Sequence, residues 1–126
     1  MAVEPDPAHG LVRLATLADG VVTADVTGDL DGLVSDGVRR RLVDAAGPHV
    51  EALVVNLNAV TLLSAAAIAM LVDVVRIAGE RGSQVRFVAA CRAVLRPLAI
   101  TGDDVHLPLY TSQAAALGAR PLRMLD

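Results

Sequence analysis

The chain contains no lysine and no tryptophan, its aromatic content is confined to Phe87 and Tyr110, and Cys91 is its single cysteine. Each absence removes a class of function. Without lysine there is no Walker-type phosphate ligand, no Schiff-base nucleophile and no lysine general base. Two aromatic rings cannot supply the stacking platforms that hold single-stranded nucleic acid, and they leave an aliphatic core. One cysteine excludes an internal disulfide and suits a reducing compartment. Eleven arginines stand against 14 acidic residues, and the net charge of -3 provides no basic footprint for a phosphate backbone. No nucleic-acid partner is expected.

What is present is apolar and aliphatic: 54% hydrophobic and only 20% charged residues in a chain of 126, enough for one packed domain. The least charged run, residues 59–72, is shorter than the ~18–20 residues of a spanning helix. Asp73, Arg76, Glu80 and Arg81 follow it at helical spacing, so it reads as a buried or half-buried helix and no membrane insertion is expected. The first ten residues carry two prolines, two acids and no positive region, unlike a signal peptide. These features predict a soluble, cytoplasmic domain over residues 11–118, with an N-terminal tail over 1–10 and a C-terminal tail over 119–126.

The pattern predicts the order ββαβαβαβα. Leu11–Leu17 and Val21–Val26 read as a hairpin closed by Asp19-Gly20. Gly28-Asp29-Leu30-Asp31 then breaks the strand, and Ser35 or Asp36 caps a helix over 36–46 that ends at Gly47-Pro48. Leu53–Leu57 reads as a central strand. A helix over 64–80 follows, its core face made of Ile68, Leu71, Val72, Val75 and Gly79. A second apolar stripe of Ala66, Met70 and Ile77 points away from that core, as a partner-binding surface would. Val85–Ala89 is a strand, and a helix over 92–101 carries Pro97, which predicts a bend or an early stop. Val105–Tyr110 is an edge strand because of Pro108, and Ser112 caps a last helix through Leu117. The fold class is α/β, with a four- to five-stranded mixed sheet and helices packed against it.

Chemistry is sparsely represented. His9, His49, His106 and Cys91 share no metal-ligand spacing, so no metal site is expected. Ser64 precedes a helix without a nucleophile elbow. Gly79-Glu80-Arg81-Gly82 ends a helix rather than opening one, so no phosphate loop or cofactor site is readable. Asp25, Asp29 and Asp31 suit solvated turns better than a cation site. A thiol enzyme at Cys91 lacks a base at readable spacing, so no catalytic residue is assigned and the chain reads as a binding module.

Ordered short motifs give that module a family. Gly28-Asp29-Leu30-Asp31 is similar to a Gly-Glu-Leu-Asp strand end. Leu53–Leu57 with Val60-Thr61-Leu62-Leu63 resembles a strand entering a signature loop, and Leu98-Ala99-Ile100-Thr101-Gly102 resembles a Leu-x-Leu-Thr-Gly helix end. Together with Glu80-Arg81-Gly82 they resemble the STAS domain family over about Leu11 to Leu117, and within it the small anti-sigma factor antagonists. The resemblance implies a partner anti-sigma factor of the serine-kinase type and a role in sigma-factor-dependent transcription. A STAS accessory subunit, such as a cytoplasmic component of a lipid-transport ATPase, is the alternative.

The resemblance also marks a departure. Switching members carry Asp-Ser-Ser-Gly where this chain has Ser64-Ala65-Ala66-Ala67. Ala65 stands at the phosphoacceptor position without a hydroxyl, and Ser64, one residue earlier, is the remaining candidate. A phosphate would add about -1.5 to -2 charge to the interface; an alanine keeps it unmodified and apolar. Asp29, Asp31, Ser64, Ala65, Ala66, Met70 and Ile77 are the expected partner-binding residues.

Overall fold

The computed structural model describes residues 11–18 and 20–118. The two expected tails, and Asp19 of the expected turn, lie outside the described residues. Strand β1 (Val12–Ala18) pairs antiparallel with β2 (Val21–Leu30), and the connection uses Gly20 at φ +77, where glycine meets no Cβ penalty. Strands β3 (Ala52–Leu63), β4 (Gln84–Val88) and β5 (Leu109–Tyr110) then add in parallel, so the sheet order is β1-β2-β3-β4-β5. Each parallel step needs a crossover. These are helix α1 (Gly32–Ala45), helix α2 (Ala65–Glu80), and helix α3 (Arg92–Thr101) followed by a 3-10 turn at Asp103–Val105; helix α4 (Gln113–Gly118) closes the described chain.

Strand alternation divides the sheet into two faces. Leu53, Val55 and Leu57 of β3 join Phe87 of β4 in the main core, with Val38 and Leu42 of α1, Leu71 and Val74 of α2, and Leu98 of α3. Val54 and Val88 point the other way and meet Ala116 of α4. Arg86 also lies on that second face and is buried all the same. Its Nη1 donates to the Ala116 carbonyl at 2.9 Å, fastening α4 down.

Several boundaries differ from the sequence expectation, each for a local reason. Strand β2 runs through Gly28 to Leu30 instead of breaking there; Gly28 takes φ +91 and the register against β3 shifts at Gly28/Asp29, so the glycine makes a bulge. Helix α1 starts at Gly32, four residues before the expected start at 36, because Asp31 is the cap. Its carboxylate accepts from the Leu33 and Val34 amides at 2.9 and 3.2 Å. Strand β3 is longer than Leu53–Leu57 and carries the chain to Leu63, just before α2. Helix α3 continues past Pro97 to Thr101, so the early stop does not occur. Of the expected Val105–Tyr110 strand only Leu109–Tyr110 pairs, since Asp103–Val105 coils into the 3-10 turn.

The largest correction concerns α2. Its fully buried line is Ala67, Leu71, Val74 and Ala78, and Met70 is buried beside it at 5% exposure. Ile77 is half-buried against the same core, and Gly79, expected inside, is exposed. Of the second apolar stripe, Met70 and Ile77 are therefore taken up by the core and only Ala66 stays exposed. Helix α1 lies against α2 on the same sheet face, so α2 must present apolar side chains both to the sheet and to its neighbour.

Candidate functional site: a docking face at the start of the second helix

Parallel strands deliver their carboxyl ends to one end of the sheet, and the helices that follow begin there. Asp29 pairs in register with Leu62 and Leu30 with Leu63, so β2 and β3 end side by side. The Thr61 hydroxyl donates to the Asp29 carboxylate, holding the two strand ends together. Asp31 caps α1 and Ser64 caps α2, with Ser64 Oγ accepting from the Ala67 amide at 3.1 Å. A Cβ on Gly32 would stand 3.8 Å from the Ala66 Cβ, so the first turns of the two helices touch.

Of the seven expected partner-binding residues, Asp29, Asp31, Ser64, Ala65 and Ala66 are brought to this end. Ala65 and Ala66 are exposed, whereas Ala67 is fully buried. Met70 belongs to the core at the border of the α1–α2 groove. Ile77 sits three turns further along α2, roughly 18 Å from its start at 1.5 Å per residue. The structure separates it from the others. Ser64 has its oxygen turned back onto its own helix as the cap.

Two shallow grooves flank the exposed alanines. One runs between α1 and α2 over Ser35, Ala66 and Ala69, with Asp36, Arg39 and Asp73 along its walls. The other lies between α2 and the end of α3, formed by Ala65, Ile68, Ala69, Val72, Thr101 and Asp103. Ala69 is common to both floors. Four large apolar residues are exposed on neighbouring elements: Leu33 on the first turn of α1, Leu62 just before α2, Ile100 near the end of α3 and Val105 in the 3-10 turn. Sequence reading missed these four. Their signal is only an apolar residue where a helix turn or strand end should be polar, and burial cannot be told from exposure at that scale.

The electrostatics of the face are local and solvated. The Arg39 guanidinium, 2.7 Å from Asp36, holds that carboxyl below its ordinary value through a hydrogen bond and direct attraction. Arg76 bridges Asp73 and Glu80 at 2.8 and 3.2 Å and is itself held more firmly protonated by Asp73. Asp36, Arg39 and Asp73 border the groove between α1 and α2, whereas Arg76 and Glu80 lie further along α2; such exposed pairs add little to folding. Cys91 precedes α3 as its cap residue, with Sγ 3.8 Å from the Leu57 carbonyl oxygen. Among the described residues no group of three or more potential metal-ligating side chains comes together. No helix among them is long and apolar enough to cross a membrane.

The STAS domain family model matches residues 14–116. The chain belongs to the STAS domain family. It is similar to an anti-sigma factor antagonist from Mycobacterium paratuberculosis, with 28% identity over 86% of this chain and 91% of that one, at a TM-score of 0.73. The anti-sigma factor antagonist SpoIIAA in its unphosphorylated form shares the fold at 13% identity and a TM-score of 0.67, covering 82% of this chain and 91% of that chain. A murine anion transporter, Slc26a9, shares it over 82% of this chain and 18% of its own, at 17% identity and a TM-score of 0.70. No curated protein sequence matches. The fold thus occurs both as a free-standing domain and as a small part of a larger transporter.

Proposed function

We propose that the chain is an anti-sigma factor antagonist that docks a partner anti-sigma factor on the face at the start of α2, with no phosphoryl switch at Ala65. The observation that carries the reading is the exposed methyl pair of Ala65 and Ala66 on the first turn of α2, with further exposed apolar residues on adjoining elements: Leu33 on the first turn of α1, Leu62 two residues before Ser64 and Ile100 near the end of α3. Contiguous exposed apolar surface is a mark of protein interaction sites. The family resemblance to antagonists supports the choice of partner, an anti-sigma factor of the serine-kinase type. Such a partner acts in the cytoplasm on sigma-factor-dependent transcription, and the chain acts on it by binding alone, without catalysis.

Phosphoryl transfer needs an acceptor oxygen, and a methyl at position 65 has none. The Ser64 oxygen is engaged as the helix cap and lies one residue out of register, about 100° around the helix. The face therefore stays permanently in its unmodified form. Affinity purification of the tagged chain from its own cell separates this reading from the transporter-subunit alternative. The expected companion is an ATP-binding anti-sigma kinase, and recovery of a transport ATPase in its place would overturn the proposal.

A further inference from the structure

Among the described residues six large hydrophobic side chains are exposed, and two of them, Leu14 and Leu17, stand on β1 at 40% and 56% exposure. Strand β1 is an edge of the sheet, seven residues long, whereas the opposite edge, β5, has two. The Thr27 amide donates to the Leu11 carbonyl, and Val12 pairs opposite Val26. In an antiparallel ladder inward and outward groups alternate, so Leu11, Arg13 and Ala15 address β2 while Val12, Leu14 and Thr16 present N–H and C=O groups outward. Arg41 of α1 caps the first of these, its Nη2 donating to the Val12 carbonyl at 3.2 Å. Beyond Leu14 and Thr16 no further strand lies among the described residues.

We propose that this edge pairs with the same edge of a second copy, antiparallel about a two-fold axis at Leu14. That register sets Leu14 against Leu14 of the second copy and Val12 against Thr16 of the second copy, joining the outward groups of all three residues in one ten-stranded sheet; the Val12 carbonyl, already accepting from Arg41, uses its second lone pair for the Thr16 amide of the second copy. The register shift between Thr16 and Ala18 ends the pairing there. Arg13, the only charged residue in β1, points to the opposite sheet face from Leu14 and does not obstruct the seam.

Charge complementarity selects a second copy over an unrelated extended peptide. Leu14 shares a notch with Arg41, Asp44 and Ala45 of α1. Helix α1 runs parallel to β1, so the two-fold places Arg41 of each copy toward Asp44 of the other. A peptide would cover the backbone groups and leave both charges unmatched. The contact is small, which implies a reversible dimer rather than an obligate one. It lies at the sheet edge, away from the start of α2, and does not depend on the anti-sigma reading.

Sedimentation velocity of the full chain over a concentration series tests the inference. The wild type is expected to show a reversible monomer–dimer equilibrium with a dissociation constant on the order of 10–100 μM, as befits a contact of the smallest interface class. Thr16→Pro removes an outward N–H without touching the inner ladder, and Leu14→Glu places like charges at the axis. Each should weaken association by about tenfold or more. Asp44→Arg, on the exposed surface of α1, should do the same and guards against a β1 variant that fails to fold. A wild type that remains monomeric at about 1 mM, where even a weak specific pair associates, would overturn the inference. So would a dimer whose affinity none of the three variants changes.

Discussion

Gly32 and Ala66 face each other across the seam between α1 and α2: a Cβ on the glycine would stand 3.8 Å from the alanine's. The contact joins the first turns of two helices that begin 33 residues apart, by the numbers of their first residues, 32 and 65. It fixes where the exposed Ala65–Ala66 pair sits relative to Asp31 and Leu33. Small residues on both sides let the backbones approach at the proposed docking face.

Ala66 is exposed and Ala67 is not, which makes a matched pair of tests. Ala66→Asp puts a carboxylate on the first turn of α2, where the helix dipole favours it by about 0.3–1 kcal/mol. Thermal unfolding should therefore be unchanged or slightly raised, while partner affinity collapses. Ala67→Asp buries the same group in the core and should abolish folding, read as loss of the cooperative melt by circular dichroism.

Met70→Asp separates core from interface at the residue where sequence and structure disagree. The sequence pattern places Met70 outward; the structure buries it against α1. The substitution should cost on the order of 3 kcal/mol of stability, for lost packing and an unpaired charge. A denaturant series would then show a much lower midpoint, and Met70→Leu should retain both midpoint and partner affinity. An Asp variant with wild-type stability would place Met70 at the surface.

Asp31 is assigned to the cap of α1 through two backbone amides. Asp31→Ala should lose about 1 kcal/mol, and Asp31→Asn most of that less, because the asparagine oxygen accepts the same bonds. Urea unfolding with an unchanged m-value is the check. Equal losses for both variants would deny the cap.

Acid titration addresses the rim of the α1–α2 groove. Asp36 is held below its ordinary value by Arg39. A carboxylate whose folded value is depressed contributes stability above its unfolded value, and loses that contribution as pH falls through the folded one. NMR titration of the Asp36 carboxyl should therefore give a midpoint below the usual range, moving up in Arg39→Gln. An Arg39→Gln protein with an unmoved midpoint would remove the pair.

Much of this was legible in the sequence, and the failures are local. The strand–helix alternation gives the order and a central β3, because a continuous apolar run such as Leu53–Leu57 has few alternatives. The antagonist-like motifs locate Asp29, Asp31, Ser64, Ala65 and Ala66 at one end of the sheet. The pattern starts α1 too late because Asp31, Ser35 and Asp36 all have capping chemistry, and in the structure it is Asp31 that meets the free amides of Leu33 and Val34. The pattern places Met70 outward because periodicity on one helix records that a face is apolar without saying which neighbour covers it. The exposure of Leu33, Leu62, Ile100 and Val105 is not legible for the converse reason: each residue is apolar, and only the fold leaves it uncovered.

The central claim is a docking face that binds an anti-sigma factor and cannot be switched by phosphate at Ala65. Its most direct test is a calorimetric titration of the chain with the purified anti-sigma kinase from the same organism, before and after prolonged incubation with ATP and magnesium, alongside intact-mass measurement. The account predicts the same affinity in both titrations, an unshifted mass, and loss of binding in Ala66→Asp. A stoichiometric phosphate on the chain with loss of affinity after incubation, or wild-type binding by Ala66→Asp, would contradict it.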